Sequence, residues 1–452
     1  MDIARFNFSH GDHEEQAGRF ALVKSVREEI NKPIATLLDT KGPEIRTGVL
    51  KDDKKVTLKE GQKFTLTTRD IVGDDTIDMI TYAGLPADVA NGNTILIDDG
   101  LIELRVEEVV DGTDIVCTVI NGGELGSKKG VNVPNVSIKL PGITDKDKDD
   151  IIFGIEQGFD FIAASFVRNA ACIQEIKQLL WEHGADIPVI AKIENAEGIE
   201  NLDEIIKVAD GIMVARGDLG IEMSPEEVPI VQKYIVDQTI RERKVCIVAT
   251  QMLESMIENP IPTRAEASDV ANAILDGTDA IMLSGETAMG KHPVEAVKMM
   301  RKIATNVEDC NFCLSNLDLE MNDKYDLSPQ AISNAAVKMA QDLNAKAILA
   351  FTHTGYTPKL LSKLRPTVPV IAISDMESTC RRLSLYWDIV ADYKQWDTVL
   401  DADLLEKIDE YILTRTDYKK GERIIIIGSI PKLITGRTNF IRVHRIGAPM
   451  ER

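Results

Sequence analysis

Pro188-Val189-Ile190-Ala191-Lys192-Ile193-Glu194 opens as an apolar run and closes on an ammonium and a carboxylate two residues apart. A nearly all-apolar run suits a strand buried on both faces. Residues two apart on a strand project to one face, so Lys192 and Glu194 emerge together at its end. Similar runs flank it at Phe161-Ile162-Ala163-Ala164, Gly211-Ile212-Met213-Val214, Val245-Cys246-Ile247-Val248 and Ala280-Ile281-Met282-Leu283. Amphipathic stretches such as Ile173 to His183, Pro229 to Arg243 and Pro293 to Val307 separate them. That alternation means right-handed strand–helix–strand units and a parallel sheet. Ile3 to Phe8 and Ile34-Ala35-Thr36-Leu37-Leu38 share the character and bring the strands to seven. Polar residues crowd their C-terminal ends, which favours a (β/α)8 TIM barrel over an open sheet.

The texture changes between Gly42 and Pro141. Alternating segments such as Lys55-Val56-Thr57-Leu58, Lys63-Phe64-Thr65-Leu66-Thr67 and Thr94-Ile95-Leu96-Ile97 sit between Gly, Asp and Asn turns. They predict a small antiparallel β domain inserted into the barrel. Asn311 to Ser328 is polar and mixed and reads as a linker; a second α/β unit follows, with strands at Ala347 to Phe351, Val368 to Ile373 and Arg423 to Gly428. The expected division is a catalytic barrel over 1–41 and 141–310, an inserted β-barrel lid over 42–140, and a C-terminal α/β regulatory domain over 325–452.

Composition narrows the function. The 452 residues carry 73 acidic and 52 basic side chains, a formal net charge of -21. Such a surface repels nucleic acid and anionic membrane but allows a small phosphorylated ligand at a local basic cluster. No apolar run approaches the ~20 residues of a bilayer span. Six scattered cysteines make no disulfide scaffold, and the start Met1-Asp2-Ile3-Ala4-Arg5 lacks secretory-signal features, so a reducing cytoplasm is expected.

Several strand ends carry candidate chemistry. Ala215-Arg216-Gly217-Asp218-Leu219-Gly220 places a carboxylate beside Glu194. Two carboxylates on adjacent strands can hold a Mg2+ that keeps room for water and substrate, although a Lys-x-Glu alone is usually an ordinary salt pair. Gly217 allows close backbone approach at a helical turn that offers N–H groups to an anion. Thr250 ends the next strand, with a helix N-cap as its bland role. Asn7, Ser9, Asp39 and Thr40 offer four oxygen ligands with one formal charge, which suits a weakly bound monovalent cation, while Arg5 and Arg46 could grip phosphate. Structural hydrogen bonding at strand ends is the bland reading of that set. Gly285 to His292 is nearly a P-loop, but His292 stands where the metal-binding hydroxyl belongs, so a turn and helix start is expected. Cys310-Asn311-Phe312-Cys313 lacks a second ligand pair for zinc, and His10 and His13 lack a metal constellation.

Taken together, Arg5-Phe6-Asn7-Phe8-Ser9-His10-Gly11, Leu38 to Arg46, Lys128-Lys129-Gly130-Val131-Asn132, Lys192-Ile193-Glu194-Asn195, Ala215 to Gly220 and Thr263-Arg264-Ala265-Glu266 resemble the pyruvate kinase family, in the family's order. The resemblance implies transfer of the phosphoryl group of phosphoenolpyruvate to ADP, giving pyruvate and ATP in glycolysis. It implies Mg2+ (or Mn2+) on Glu194 and Asp218, and Lys192 meeting the transferring phosphoryl group. Gly217, Asp218 and Thr250 would seat substrate, with Thr250 near the carbon that is protonated. Arg5 would contact phosphate, and Arg46, Lys129, Asn7 and His10 would contact the nucleotide. K+ would lie on Asn7, Ser9, Asp39 and Thr40. A homotetramer is implied, as is a sugar-phosphate effector on the loop with Thr352, Thr354, Gly355 and Thr357. The competing expectation is a catalytically silent, metabolite-sensing relative. Family members carry a strand and helix, with a Thr-Ile-Gly-Pro turn, ahead of the segment that opens this chain. An open slot beside Ile3 to Phe8 is therefore expected, as are N-terminal truncation and poor solubility or weak activity.

Overall fold

The computed structural model describes residues 1–310, 321, 326–396, 402–430 and 438–448. Most of the expected linker and Cys313 lie outside them. Seven parallel strands form one sheet in the order Ile3–Asn7, Ala35–Asp39, Phe161–Ala164, Val189–Ile193, Gly211–Ala215, Val245–Ala249 and Ala280–Ile281. Side-chain alternation sorts their residues into two cores. Ala35, Leu37, Phe161, Ala163, Ile190, Met213, Val245, Ile247 and Ala249 pack together inside, with Ile3 and Ala280 from the two outermost strands against them. One inner core that takes side chains from both outermost strands is the curl of a barrel. The intervening residues, among them Ile162, Val189, Ala191, Ile212 and Val248, face outward against helix residues such as Ile173, Ile176 and Ile235. Ile3–Asn7 and Ala280–Ile281 are not paired with each other, so the slot expected beside Ile3 to Phe8 is open among the described residues. No helix among them is long and apolar enough to cross a membrane.

The inserted region builds a seven-stranded sheet in the order Ile45–Arg46, Gly130–Asn132, Thr94–Ile97, Ile102–Val110, Asp114–Asn121, Lys63–Thr67 and Ile77–Met79. The expectation of an antiparallel domain needs one correction: Lys63–Thr67 and Ile77–Met79 run parallel. Its own core includes Phe64, Leu66, Ile95, Ile97, Leu104, Ile115 and Val119.

The C-terminal unit is a five-stranded sheet in the order Ile389–Tyr393, Val370–Ser374, Ile348–Thr352, Arg423–Gly428 and Phe440–Arg445, the last strand antiparallel. The first and last of these are edge strands that the apolar runs did not reveal. This unit also closes the barrel floor. Asp160, Asp210 and Asp279 each precede a strand and accept a backbone N–H at 2.9 Å, from Thr36, Val189 and Cys246. Two of them also hold C-terminal cations: Arg381 Nε lies 2.8 Å from Asp160, and Arg365 Nη1 lies 3.1 Å from Asp279, which also meets Lys363. Between these clamps Leu385, 1% exposed, enters the barrel's inner core. Leu385→Ala is expected to cost about 2–5 kcal/mol through lost burial and the cavity left behind. Denaturant unfolding checks this, and a loss below about 0.5 kcal/mol would show that Leu385 is not a core residue.

Candidate active site

The site is built where the barrel strands end. Lys192 sits on the Val189–Ile193 strand, and its ammonium has three protons to place. They meet Ser165 Oγ at 2.7 Å, Glu194 Oε1 at 2.9 Å and Asp39 Oδ1 at 3.1 Å. Burial pushes the Lys192 ammonium toward neutrality, but the Asp39 and Glu194 charges outweigh it and hold its pKa above the ordinary lysine value. Asp39 lies in the opposite balance. Burial raises its carboxyl, yet Lys192 and Arg5, whose Nε is 2.5 Å away, keep it below the usual carboxylate range.

Glu194 accepts the Phe166 N–H on its other oxygen at 2.6 Å and shares a hydrogen bond with Asp218. Asp218 stands on the Arg216–Glu222 helix, which starts directly after the Gly211–Ala215 strand. Its carboxyl is pushed well up, by burial first and by the Glu194 charge second. Two abutting carboxylates, Glu194 buried and Asp218 half-buried, need a proton or a cation between them. Their hard oxygens suit a small divalent cation, and no third His, Cys, Asp or Glu joins them in a metal-sized group among the described residues. Such a pair leaves coordination positions to water and substrate.

Thr250 overturns its bland reading as a helix cap. Its φ is 69°, no helix begins there, and its hydroxyl accepts the Gly217 N–H at 2.7 Å while donating to the Ala249 carbonyl at 2.6 Å. Arg216 braces the same turn through the Thr250 carbonyl at 2.6 Å and Asp269 at 2.7 Å. Gly217 and Thr250 thus face each other across two neighbouring strand ends.

A cleft of about 660 Å³ lies between the inserted sheet and the barrel. Asp218, Arg46, Lys129, Arg168 and Glu222 line it, along with Phe166 and Asn195, the sequence neighbours of Ser165 and Glu194. Lys129 Nζ rests on Asp98 at 2.8 Å, and Arg46 bonds Glu44 at 2.8 Å and the Lys128 carbonyl at 3.0 Å. Arg5, Asn7, Ser9 and His10 are outside that lining, at the end of the first strand. Asn7 Oδ1 accepts the Ser9 N–H at 3.0 Å, and His10 is exposed. Thr40 Oγ1 accepts the Ser165 N–H at 3.1 Å.

Ser165, Phe166 and Arg168 were not singled out from the sequence. Their signal was the polar tail Ser165-Phe166-Val167-Arg168 after the Phe161–Ala164 strand, the same strand-end position that marked Lys192 and Thr250. In the P-loop look-alike a buried carboxylate, Glu286, accepts the Leu253 and Ser284 N–H groups at 3.1 and 2.8 Å, which leaves no cradle for phosphate. Lys291 there pairs with Glu258 on the surface. In the C-terminal loop, Thr352 Oγ1 accepts the Gly355 N–H at 2.8 Å, and Thr357 bonds Thr438 at 2.5 Å. Both are buried, whereas Thr354 and His353 are exposed, the latter on Asp375 at 2.7 Å.

Fold and site define a barrel enzyme of the phosphotransferase class: a buried ammonium, a carboxylate pair and basic side chains gathered at one end of the barrel. Residues 1–297 match the pyruvate kinase barrel domain and residues 330–444 the pyruvate kinase alpha/beta domain. A pyruvate kinase of Clostridium acetobutylicum is 47% identical, with 98% of this chain and 94% of that protein covered. One of Geobacillus stearothermophilus is 47% identical over 99% of this chain and 76% of that protein. The crystal structure of a pyruvate kinase from Cryptosporidium parvum superposes with a TM-score of 0.92 at 37% identity, covering 99% of this chain and 91% of that one. The chain belongs to the pyruvate kinase family.

Proposed function

We propose that the cleft and the strand ends beside it transfer the phosphoryl group of phosphoenolpyruvate to ADP, with Lys192, Glu194 and Asp218 at the centre. The observation that carries this reading is the junction of a buried, fully bonded ammonium with two abutting carboxylates, buried Glu194 and the cleft-lining Asp218. In the reaction the bond between phosphorus and the enol oxygen breaks, and a terminal ADP oxygen takes the phosphorus. The enolate left behind takes a proton at its methylene carbon. The loose transition state spreads charge over the phosphoryl oxygens, so fixed positive charge and position do most of the catalysis. Lys192 supplies that charge. Gly217 and Thr250 seat the substrate carboxylate, and Thr250 lies on the side where a water delivers the proton. Arg5 holds phosphate, while Arg46 and Lys129 reach the nucleotide, with Asn7 and His10 beside it.

Mg2+ or Mn2+ on Glu194 and Asp218 would supply a Lewis acid for the phosphoryl and enolate oxygens. Asn7, Ser9, Asp39 and Thr40 would hold K+, a weakly charged cation that suits a set whose one carboxylate already faces Arg5 and Lys192. Residues 42–140 act as a lid: Lys129 immediately precedes the Gly130–Asn132 strand of the inserted sheet, so closure brings it over the phosphates and excludes water. A coupled assay of pyruvate formation tests the reading, with activity expected only when phosphoenolpyruvate, ADP and a divalent cation are all present. Pyruvate formation without the cation, or none under any condition, counts against it.

Glu44 lies 2.8 Å from Arg46 Nε and 3.8 Å from Lys41 Nζ, in the segment that follows Asp39 and Thr40. The resemblance to pyruvate kinases implies that an acidic residue at this position goes with K+ dependence and a lysine with independence, its ammonium replacing the cation. Wild-type activity is expected to require K+, and Glu44→Lys to relax that need at least several-fold in the K+ concentration for half activation. Full activity of the wild type in a buffer with a tetraalkylammonium counterion would contradict it.

The loop with Thr352, Thr354, Gly355 and Thr357 would receive a sugar phosphate at the start of the Tyr356–Lys363 helix, with exposed Thr354 making first contact. Thr354→Glu is expected to abolish activation by sugar phosphates through charge repulsion, and an intact response would remove the loop from the proposal. The homotetramer stays part of this reading on the resemblance to pyruvate kinases, with exposed Ile230 and Tyr234, one turn apart on the Val228–Arg241 helix, as one apolar face for it.

A further inference from the structure

Ser165 has no part in the roles above, yet it is 5% exposed and touches both halves of the site. Its hydroxyl accepts from Lys192 Nζ at 2.7 Å and donates to the Thr40 carbonyl at 2.7 Å, with Asp39 Oδ1 at 3.2 Å as a second neighbour. A hydroxyl carries one proton, so these two bonds settle its orientation. Its own N–H holds Thr40 Oγ1. The next residue, Phe166, has φ 54° and gives its N–H to Glu194. A bulky residue held in the left-handed region stores strain, which persists only where the surroundings enforce it. Gly42 confirms the tightness: a Cβ there would sit 2.8 Å from Ser165 Cβ, at a φ of +73°. The Ser165–Phe166 turn therefore clips the Asp39–Thr40 strand end to the Lys192–Glu194 strand end.

We propose that Ser165 is a positioning residue: with Asp39 it fixes two of the three Lys192 N–H bonds, so that the third, now on Glu194, is left for the transferring phosphoryl oxygen, and it links the Thr40 end of the K+ ligand set to that ammonium. The inference rests on the catalytic reading of Lys192. It rests also on the K+ reading above, under which a cation that orders Thr40 would order the hydroxyl that aims Lys192.

Ser165→Ala in the full chain tests it. The expected result is a fall in kcat of about 10- to 100-fold, the loss of a hydrogen bond to a charged group, with the KM for phosphoenolpyruvate nearly unchanged. Thallium(I), a K+ stand-in followed by thallium NMR, should bind several-fold more weakly. Mn2+ affinity by electron paramagnetic resonance should stay at the wild-type value, since Phe166 still holds Glu194, and the melting temperature should fall by no more than a few degrees, the cost of one lost buried hydrogen bond. Ser165→Cys, which keeps an unbranched side chain with a weak donor and acceptor in the same place, should recover turnover in part. Turnover and thallium binding within about twofold of wild type in Ser165→Ala would overturn the proposal. So would a loss of turnover matched by losses of Mn2+ binding and melting temperature in both variants, because that is a purely structural role. A Lys192→Met variant measured alongside separates the two levels: if it is impaired while Ser165→Ala is normal, only the positioning role falls, and if it is normal, the catalytic reading falls with it.

Discussion

Lys192→Met is expected to lower kcat by about 10²–10³-fold, the effect of removing one aimed electrostatic donor. Methionine keeps the length of the stem but has no charge to set against the phosphoryl oxygens. Asp39 keeps Arg5 at 2.5 Å and Ser165 at 3.2 Å, so the buried carboxylate is not abandoned. Mn2+ binding should survive, because Glu194 retains the Phe166 N–H and Asp218 remains beside it. Steady-state kinetics with an Mn2+ titration checks both parts. Near-normal turnover would remove Lys192 from the mechanism.

Glu194→Gln attacks the same centre from the other side. An amide is a weaker ligand than a carboxylate and cannot share charge with Asp218, so the dissociation constant for Mn2+ should rise by at least about 100-fold. Turnover should fall with it and return in part at high Mn2+, a rescue that Lys192→Met must not show. The variant has a structural consequence too: Lys192 loses one of its two counter-charges and the Phe166 N–H meets a neutral acceptor. Unchanged Mn2+ affinity would place the divalent cation elsewhere.

Much of the site was legible because parallel strands buried on both faces read as apolar runs, and whatever polar residue ends such a run is at the catalytic end of a barrel. Lys192, Glu194, Asp218 and Thr250 were found this way. The edge strands were not, since Ile389–Tyr393 carries a charged Asp392 and exposed Val390 and Tyr393, and Phe440–Arg445 mixes Arg442, His444 and Arg445 with its apolar residues. Such one-sided strands look like loops in a sequence. The parallel pairing of Lys63–Thr67 with Ile77–Met79 depends on a chain crossing that no local pattern reports. Ser165 was missed for a different reason: serine after a strand is common, and its importance lies wholly in partners 126 and 27 residues away along the chain, Asp39 and Lys192. The threonines of the C-terminal loop show the converse. The resemblance implies an effector phosphate on this loop, whereas the Thr352 and Thr357 hydroxyls turn inward to the Gly355 N–H and Thr438.

Phosphorus NMR of the wild-type chain with phosphoenolpyruvate, ADP, K+ and Mg2+ observes the transferring group itself and tests the central claim most directly. The expected result is loss of the phosphoenolpyruvate resonance with matching growth of the ATP γ-phosphate resonance, halted by chelation of the metal and slowed about 10²–10³-fold in Lys192→Met. Release of the phosphoryl group as inorganic phosphate, or transfer that proceeds equally well in Lys192→Met, would contradict it.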